Sequence, residues 1–388
     1  MRKNSFFALV LILSCCSRLT AQTWTNLNAP NDPIEGYVRL ACSADGTIIL
    51  ALQSAWYKPT NSVFLSTDGG AAWITNNLPG LYWNAAGCSA TGNVLLAMTS
   101  MGVVYSSTNS GASWRSNNVP DTAWNGVAGS ADGTRWVACA SAGENNAPIY
   151  VSHDAGVTWT PTAAPTNYWI GVASSADGNI LMASGLPGVC ISTNGGLTWN
   201  FGSPPPYMSG CACSADGRKM VVGDAGMQIW TSTNTGVTWT AHNLLQPFTI
   251  IAVSADGDTL AAVCDALPLP VSLSSDFGMT WSTNSNPALY GRSVAASADG
   301  CRLFVVGGGQ VYSLATTPQP VLKSAVSGNQ LRFSWTVPSM PFVLQQNSDL
   351  TTTNWVPVTD RPVFNPSRLE YETTVTPVPG ARFYRLAQ

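Results

Sequence analysis

The stretch Ser43-Ala44-Asp45-Gly46 recurs along the chain, once with Thr in place of Asp, and this repeat decides the fold. The seven copies begin at Ser43, Ser89, Ser130, Ser175, Ser214, Ser254 and Ser297. They start 39 to 46 residues apart, and short apolar runs and Gly-containing turns fill the intervals. Repeats of about 40 to 50 residues built from short strands are typical of propeller blades. The sequence therefore predicts an all-β fold, a seven-bladed β-propeller.

A second motif, Ser-x-Asp/Asn-x-Gly-x-Ala/Ser/Thr-Trp, follows the first by 17 to 23 residues in six of the seven repeats. The copies end at Trp73, Trp114, Trp159, Trp199, Trp239 and Trp281. The seventh repeat reaches Leu314-Ala315 without a copy, whereas Thr23-Trp24-Thr25 near the start looks like the last strand of a blade. We predict that this N-terminal strand completes the blade begun at Ser297. The ring would then close without a long unpaired sheet edge.

These six copies resemble the Asp-box, or bacterial neuraminidase repeat, of sialidases, xyloglucanase-type glycosidases, sortilin-like receptors and photosystem II assembly factors. The resemblance covers residues 23 to 317 and implies the propeller fold. It does not imply one function, because those proteins include enzymes, receptors and assembly factors. Three copies carry Asp and three carry Asn at the same position, so the position requires a hydrogen-bond acceptor rather than a charge. We expect these side chains to hold turns and not to bind calcium.

The N-terminal segment has the pattern of a secretory signal peptide. Arg2 and Lys3 precede an apolar run, and Leu19-Thr20-Ala21 offers a small residue before a cleavage site. We predict a signal peptide at 1–21 and an exported mature protein, extracellular, at the cell surface or periplasmic. Lipidation at Cys15 is the alternative. No other apolar run is long enough to cross a membrane, so no transmembrane segment is expected.

Composition and cysteine placement exclude several classes of ligand. Loss of the leader removes three basic residues and no acidic one, which changes the formal net charge from −3 to −6 and argues against nucleic acid. The other eight cysteines show no Cys-x-x-Cys spacing, and several occupy small-residue positions of the repeat, so we expect buried free thiols. With only two histidines in the chain, we expect no metal and no cofactor.

An aromatic residue stands six or seven positions before the repeat serine in every blade, where the inner strand begins. These residues are Tyr37, Trp83, Trp124, Trp169, Tyr207, Phe248 and Tyr290. Such a ring of aromatics at the mouth of the central channel would stack on a sugar or grip a peptide. Packing between blades is the alternative explanation.

Acidic residues outside both motifs lie in loops that would share the face of that mouth. Glu144, Asp224 and Asp265 lie between the second and third strands of their blades, and they are the candidate catalytic residues if the protein is a glycoside hydrolase. The resemblance gives limited support to catalysis. The Arg-Ile-Pro motif of sialidases is missing, and xyloglucanase-type enzymes use two propellers where this chain has length for one. The assembly factors have a similar ring but usually carry a basic patch, which this acidic chain lacks.

The repeat stops after Thr317, and Pro318-Gln319-Pro320 predicts a short linker. Residues 321–388 alternate like half-buried strands and resemble a fibronectin type III-like sandwich. We therefore predict a signal peptide at 1–21, a propeller at 22–317, a linker at 318–320 and a small β-sandwich at 321–388. The function that we expect is non-catalytic binding of a glycan or protein at the aromatic, acidic mouth. A glycoside hydrolase and an assembly or adhesion scaffold are the alternatives, and the sequence does not indicate the oligomeric state.

Overall fold

A computed structural model gives the structure of most of the chain. It describes residues 23–30, 36–54, 62–76, 78–79, 82–117, 119, 122–141, 147–186, 188–202, 208–224, 228–243, 249–264, 269–289, 291–315, 320–338, 340–377, 380 and 382–387. All regular elements within these residues are β-strands. The predicted all-β fold is therefore confirmed.

Seven four-stranded antiparallel sheets form the blades of a propeller, and each blade runs outward from an inner strand. Six blades take their strands in chain order. Blade 1 comprises β2 Gly36–Cys42, β3 Ile49–Ser54, β4 Val63–Ser66 and β5 Ile74–Asn76; blade 2 β6 Trp83–Cys88, β7 Leu95–Thr99, β8 Val104–Ser107 and β9 Arg115–Asn117; blade 3 β10 Ala123–Gly129, β11 Trp136–Ser141, β12 Ile149–Ser152 and β13 Thr160–Pro161. Blade 4 comprises β14 Trp169–Ser174, β15 Leu181–Gly185, β16 Gly188–Ser192 and β17 Asn200–Phe201; blade 5 β18 Met208–Cys213, β19 Met220–Asp224, β20 Gln228–Ser232 and β21 Thr240–Asn243; blade 6 β22 Ile250–Val253, β23 Leu260–Val263, β24 Leu269–Ser274 and β25 Ser282–Leu289.

Blade 7 combines the two ends of the repeat region, as the sequence predicts. Its first three strands are β26 Ser293–Ala296, β27 Arg302–Gly307 and β28 Gln310–Ala315, and its fourth is β1 Thr25–Asn26 from the N-terminus. Thr25 pairs with Ser313 and Asn26 pairs with Tyr312 in an antiparallel register. The outer edge of the last blade is thus formed by the first strand of the chain.

A continuous circle of backbone hydrogen bonds joins the seven inner strands. The alanine of each Ser-Ala-Asp/Thr-Gly turn donates its N–H to the carbonyl of the corresponding alanine in the next blade, at 2.7 to 2.8 Å. This alanine ring comprises Ala44, Ala90, Ala131, Ala176, Ala215, Ala255 and Ala298. The last member donates back to the first, so the ring closes on itself. The repeat alanine is small because seven of these residues meet around one axis.

The Asp-box turns are held by side-chain hydrogen bonds to the backbone. In blade 3 the hydroxyl of Ser152 donates to Asp154 Oδ1 at 2.8 Å and accepts from the N–H of Gly156 at 3.0 Å. The amide of Thr158 donates to the same Asp154 oxygen at 2.9 Å. The other five boxes repeat all three bonds, with Asn in place of Asp at 109, 194 and 234. The acidic position therefore acts as a hydrogen-bond acceptor, as expected from the Asp/Asn exchange.

The cores lie between neighbouring blades. Trp159, at the end of its box, packs with Leu96 and Met98 of blade 2 and with Trp136 of blade 3. Its indole N–H donates to the carbonyl of Gly156 at 3.0 Å, so the one polar atom of the ring is satisfied inside the contact. The box tryptophan therefore joins two blades and also closes its own turn.

Two further sheets with a shared apolar core follow the propeller, and we call them the second domain. One of its sheets contains β29 Lys323–Ser327, β30 Gln330–Thr336, β34 Glu370–Val375 and β33 Val363–Asn365; the other contains β32 Val356–Pro357, β31 Val343–Asn347 and β35 Phe383–Ala387. Phe333 and Trp335 of the first sheet pack with Leu344 and Tyr384 of the second. The likeness to fibronectin type III and the exact boundaries at 317 and 321 stay predictions, since residues 316–319 lie outside the described part. The signal peptide at 1–21 lies outside it too.

All eight cysteines of the described residues are free thiols. Cys139, Cys190 and Cys264 are fully or almost fully buried, while the other five are half-buried. Burial raises the pKa of the Cys42 and Cys139 thiols to about 12. The expectation of free thiols is confirmed for these eight, and the expectation of burial is confirmed for Cys139, Cys190 and Cys264.

Candidate ligand-binding site

The structure does not place the three predicted tryptophans at a ligand-binding surface. Trp83 is 2% exposed, and Trp124 and Trp169 are 0% exposed. A stacking platform needs an accessible ring face, and these rings have none. The ligand-binding prediction is wrong for these three residues, and packing between blades, the alternative explanation, accounts for them.

Each of these rings fills the gap to the preceding blade. Trp83 packs against Leu50 and Leu52 of blade 1. Trp124 shares a core with Leu96 and Met98 of blade 2, and it lies 5.2 Å from the ring of Tyr150 and 5.5 Å from the ring of Trp159 in its own blade, measured between centroids. Trp169 packs in the same way against Val137 and Ile149 of blade 3. An aromatic residue at the start of an inner strand is therefore a wedge between blades.

The other four aromatic candidates stay predictions. Tyr37 lies in β2, where its backbone pairs with Gln53, and its side chain is outside the described part of the structure. Tyr207, Phe248 and Tyr290 fall entirely outside it.

Of the acidic candidates, only Asp224 lies within the described residues, and its carboxylate holds the turn between β19 and β20. It ends β19, and its Oδ1 accepts the N–H of Gln228 at 2.8 Å. Its Oδ2 lies 3.5 Å from the indole nitrogen of Trp230. These bonds give the carboxylate a local structural role in the β19–β20 turn. Glu144 and Asp265 lie outside the described residues, so the prediction of a catalytic pair remains untested.

The structure instead draws attention to β-bulges near the start of the inner strands. The strand register shifts between Tyr37 and Arg39, between Trp83 and Ala85, between Trp124 and Gly126, between Trp169 and Gly171, and between Met208 and Cys211. An extra residue in a strand redirects a side chain out of the regular alternation, and bulges are common next to functional sites. Five of the seven inner strands are therefore altered at the same level of the channel.

Polar side chains at this level connect one inner strand to the next. The Asn84 amide donates to the carbonyl of Trp124 at 2.8 Å, and the Asn125 amide donates to the carbonyl of Trp169 at 3.1 Å. Arg39 donates to Asn84 Oδ1 at 3.3 Å and to the carbonyl of Arg292 at 3.4 Å. This polar arc, Arg39, Asn84, Asn125 and Arg292, crosses blades 7, 1, 2 and 3 and reaches blade 4. Asn84 and Asn125 occupy bulges, but nothing in the spacing of the sequence distinguishes them from the other residues of their strands. The sequence therefore did not indicate their role.

The arc lies at the opposite end of the channel from the alanine ring, because it stands where the inner strands begin and the ring stands where they end. The side chain of Arg292 is exposed, and Arg39 is half-buried. Arg292 makes no side-chain hydrogen bond or ion pair with any residue that the structure describes. The described part of this mouth therefore carries two arginines and two asparagines, with Asp224 at the same end of blade 5. Glu144 and Asp265, on which the predicted acidic mouth also depends, lie outside the described residues, so that prediction is not tested.

Two apolar side chains extend the same end of the channel on blade 4. Tyr168 is 39% exposed and Ile170, the bulged residue of β14, is 37% exposed. They adjoin Trp169, whose carbonyl is the last acceptor of the polar arc. The arrangement offers charge and hydrogen bonds on one side and an apolar surface on the other, which suits a ligand with both kinds of group.

Within the described residues there is no group of three His, Cys, Asp or Glu side chains arranged to hold a metal ion. The same part of the chain contains no helix that is long and apolar enough to cross a membrane.

Comparisons with known proteins agree on the propeller. No family model matches the chain, and no curated protein matches it. Among solved structures, YCF48 bound to D1 peptide is similar with a TM-score of 0.58 and 15% identity, over 77% of this chain and 99% of that one. A chain of Kuenenia stuttgartiensis hydrazine synthase gives a TM-score of 0.58 and 14% identity, over 75% and 98%. YCF48 from Cyanidioschyzon merolae gives 0.54 and 14%, over 76% and 98%. At this level of identity the likeness shows the fold alone: the chain contains a YCF48-like β-propeller.

Proposed function

We propose that the propeller is a non-catalytic binding domain that takes a protein ligand, as an extended acidic segment, at the mouth lined by the polar arc. The observation that carries the proposal is the hydrogen-bonded arc itself. It aligns Arg39, Asn84 and Asn125 across consecutive inner strands and leaves the guanidinium of Arg292 exposed beside them. This is a built feature of the channel mouth.

The chemistry of the arc favours a peptide. Guanidinium groups bind carboxylates through paired, charge-assisted hydrogen bonds. Asparagine amides supply donors and acceptors that match peptide N–H and C=O groups. Tyr168 and Ile170 would cover an apolar side chain of the same segment. A protein with this fold, YCF48, is known with a D1 peptide bound, which supports the idea that such a ring accommodates a peptide.

A glycan remains the second candidate, because Tyr168 keeps an exposed ring at the mouth and sugars stack on such rings. The buried positions of Trp83, Trp124 and Trp169 remove three of the seven stacking surfaces on which that candidate mainly depended. The N-terminal segment supports the further proposal that the protein acts after export.

The test is a binding measurement with two arrays, one of synthetic peptides graded from basic to acidic and one of glycans. Mature protein is compared with Arg292→Gln and with the control Arg218→Gln, an exposed arginine in the blade 5 turn at the opposite face. We expect acidic peptides to bind, and Arg292→Gln to weaken them about tenfold or more, the loss of a hydrogen bond to a charged group. Arg218→Gln should have no effect.

Three outcomes would overturn the proposal. Equal affinity of the mature protein and Arg292→Gln would remove the polar arc from the binding site. Binding of glycans alone would favour the second candidate. Cleavage of a bound glycan would return the protein to the glycoside hydrolases and make Glu144 and Asp265 the residues to examine.

A further inference from the structure

The channel ends in a small chamber at the alanine ring. The chamber has a volume of about 160 Å³, and all seven alanines of the ring line it. Three thiols, Cys42, Cys88 and Cys213, line it as well. One further lining residue, Leu369, comes from the second domain and not from the propeller. The second domain therefore reaches into the end of the channel.

An apolar contact holds the second domain on this end of the ring. Val337 of that domain is 5% exposed and packs with Ala44 and Ala298, which are 8% and 6% exposed. Phe364 and Tyr371 pack against the same cluster, as does Leu369. The contact combines the two alanines that close the ring with the apolar side chains around the β33–β34 turn.

The exposure of the repeat turns shows which blades are covered. Six turns carry an aspartate at the same position. It is exposed in blades 3, 4, 5 and 6, and half-buried at Asp45 of blade 1 and Asp299 of blade 7. Because the six turns have the same local structure, the difference comes from the domain that lies over blades 1 and 7.

Leu369 is held in a conformation that suits this contact. Its φ is 52°, in the left-handed region that non-glycine residues rarely adopt. Its carbonyl accepts the N–H of Val337 at 2.9 Å, which ties the turn to the end of β30. The residues just before it, Ser367 and Arg368, are exposed and polar. Leu369 is thus the apolar tip of an otherwise polar turn, and it lies at the channel.

We infer that the second domain is an intramolecular stopper, which closes the channel at the alanine ring through Leu369 so that a ligand enters only by the opposite mouth. This role goes beyond the proposed function and does not depend on which ligand binds. It explains why the domain lies over the point where the ring closes. A domain that served only as an export or anchoring module would not need an apolar side chain in the channel.

The rate at which the three chamber thiols are modified measures how well Leu369 closes this end of the channel. The full mature chain is treated with iodoacetamide, and modification of each cysteine is followed by mass spectrometry. The test variant is Leu369→Gly, because glycine accepts the positive φ while removing the side chain. The control is Val326→Gly, at a residue of the same domain that is 76% exposed and lies away from the ring. Cys139, Cys190 and Cys264 are the internal reference for general loosening.

We expect Leu369→Gly to speed modification of Cys42, Cys88 and Cys213 by about tenfold or more, which corresponds to about 1.4 kcal/mol in access to the chamber. The reference cysteines should stay unmodified, and Val326→Gly should behave like the parent. Equal rates in the parent and in Leu369→Gly would overturn the inference. So would faster modification of all six thiols, since that would show loosening of the blades. If Leu369→Gly does not fold, Leu369→Asn gives the same comparison, because asparagine also tolerates a positive φ.

Discussion

The amide nitrogen of Ala298 lies 2.7 Å from the carbonyl oxygen of Ala44, and this hydrogen bond joins the last repeat of the propeller to the first. At the outer rim the ends are joined again, where β1 pairs with β28. The propeller is therefore closed at both the inner and the outer radius. Closure at the rim depends on a strand of two residues, so its stability must come from side-chain packing rather than from backbone pairing.

The first prediction concerns this rim. Trp24 is 8% exposed and packs with Leu303, Val305 and Leu314 of blade 7. Trp24→Ala should lower the free energy of unfolding in urea by about 3 to 5 kcal/mol, the usual cost of truncating a buried aromatic. Trp355→Ala is the control, because that ring is only half-buried in the second domain, 4.3 Å from the Arg385 guanidinium, and its truncation should cost less. Similar losses in the two variants would show that β1 does not hold the ring closed.

The second prediction follows from the buried position of Trp124. Trp124→Ala should reduce the free energy of unfolding by about 3 to 5 kcal/mol, because the cavity would lie between Tyr150 and Trp159 in the contact of blades 2 and 3. Trp124→Phe should cost less, since it keeps most of the apolar volume. The measurement is urea denaturation followed by tryptophan fluorescence and circular dichroism. Unchanged stability with loss of ligand binding would restore the surface role that the sequence suggested.

The architecture could be predicted from the sequence because its signals are local. The spacing of the Ser43-type turns determines the number of blades, and Thr23-Trp24-Thr25 supplies the strand missing from the last one. Both expectations are confirmed by the sheets. In the second domain the alternation does not extend to the strands Lys323–Ser327 and Val363–Asn365, so the sequence pattern alone does not indicate them.

The candidate site was harder to predict, for a physical reason. In a propeller both faces of every sheet are covered by neighbouring blades, so alternation does not show which aromatic residues reach the channel. The bulges at Asn84 and Asn125 shift the alternation by one residue, and spacing alone does not reveal them. Gly87 is small because the ring of Trp136 from the next blade lies against it. Each of these facts depends on contacts between repeats.

The third prediction concerns the Asp-box turn of blade 3. Although partial burial acts to raise it, hydrogen bonds from the Thr158 hydroxyl and amide and from Ser152 lower the pKa of Asp154. A carboxylate with a lowered pKa stabilises the folded state above its ordinary pKa, and that contribution is lost as the pH falls through the lowered value. Asp154→Asn should remove this contribution, so that the stability of blade 3 falls less at acidic pH. Asn194→Asp should add a contribution of the same kind in blade 4. At neutral pH both changes should stay within about 0.5 kcal/mol.

The reason for that tolerance is the hydroxyl four residues after the Asx residue. In blade 3 the Thr158 hydroxyl donates to Asp154 Oδ2 at 2.6 Å. In blade 4 the Thr198 hydroxyl instead accepts a hydrogen bond from the Asn194 amide at 2.8 Å. Ser152→Ala is the contrasting variant, because it leaves the buried N–H of Gly156 without its acceptor and should cost about 1 to 3 kcal/mol. Thermal unfolding from neutral to acidic pH checks all three variants. A large loss for Asp154→Asn at neutral pH would show that the charge itself is required.

The fourth prediction concerns alkaline pH and the thiols. Burial raises the pKa of Cys139 from 9.0 to about 12 and that of Cys190 to about 11. In the unfolded chain these thiols ionise near their ordinary pKa, whereas in the folded protein they stay protonated. The stability that this difference supports is full below about pH 9 and falls as the pH rises toward 12. Urea denaturation at rising pH should therefore show a steady loss in the free energy of unfolding. The loss should be smaller in Cys139→Ala, once its lower stability at neutral pH is subtracted.

Because the eight described cysteines are free, a reducing agent should leave the melting temperature unchanged. A lower melting temperature on reduction, with two thiols gained in a denatured titration, would show a disulfide and contradict the prediction.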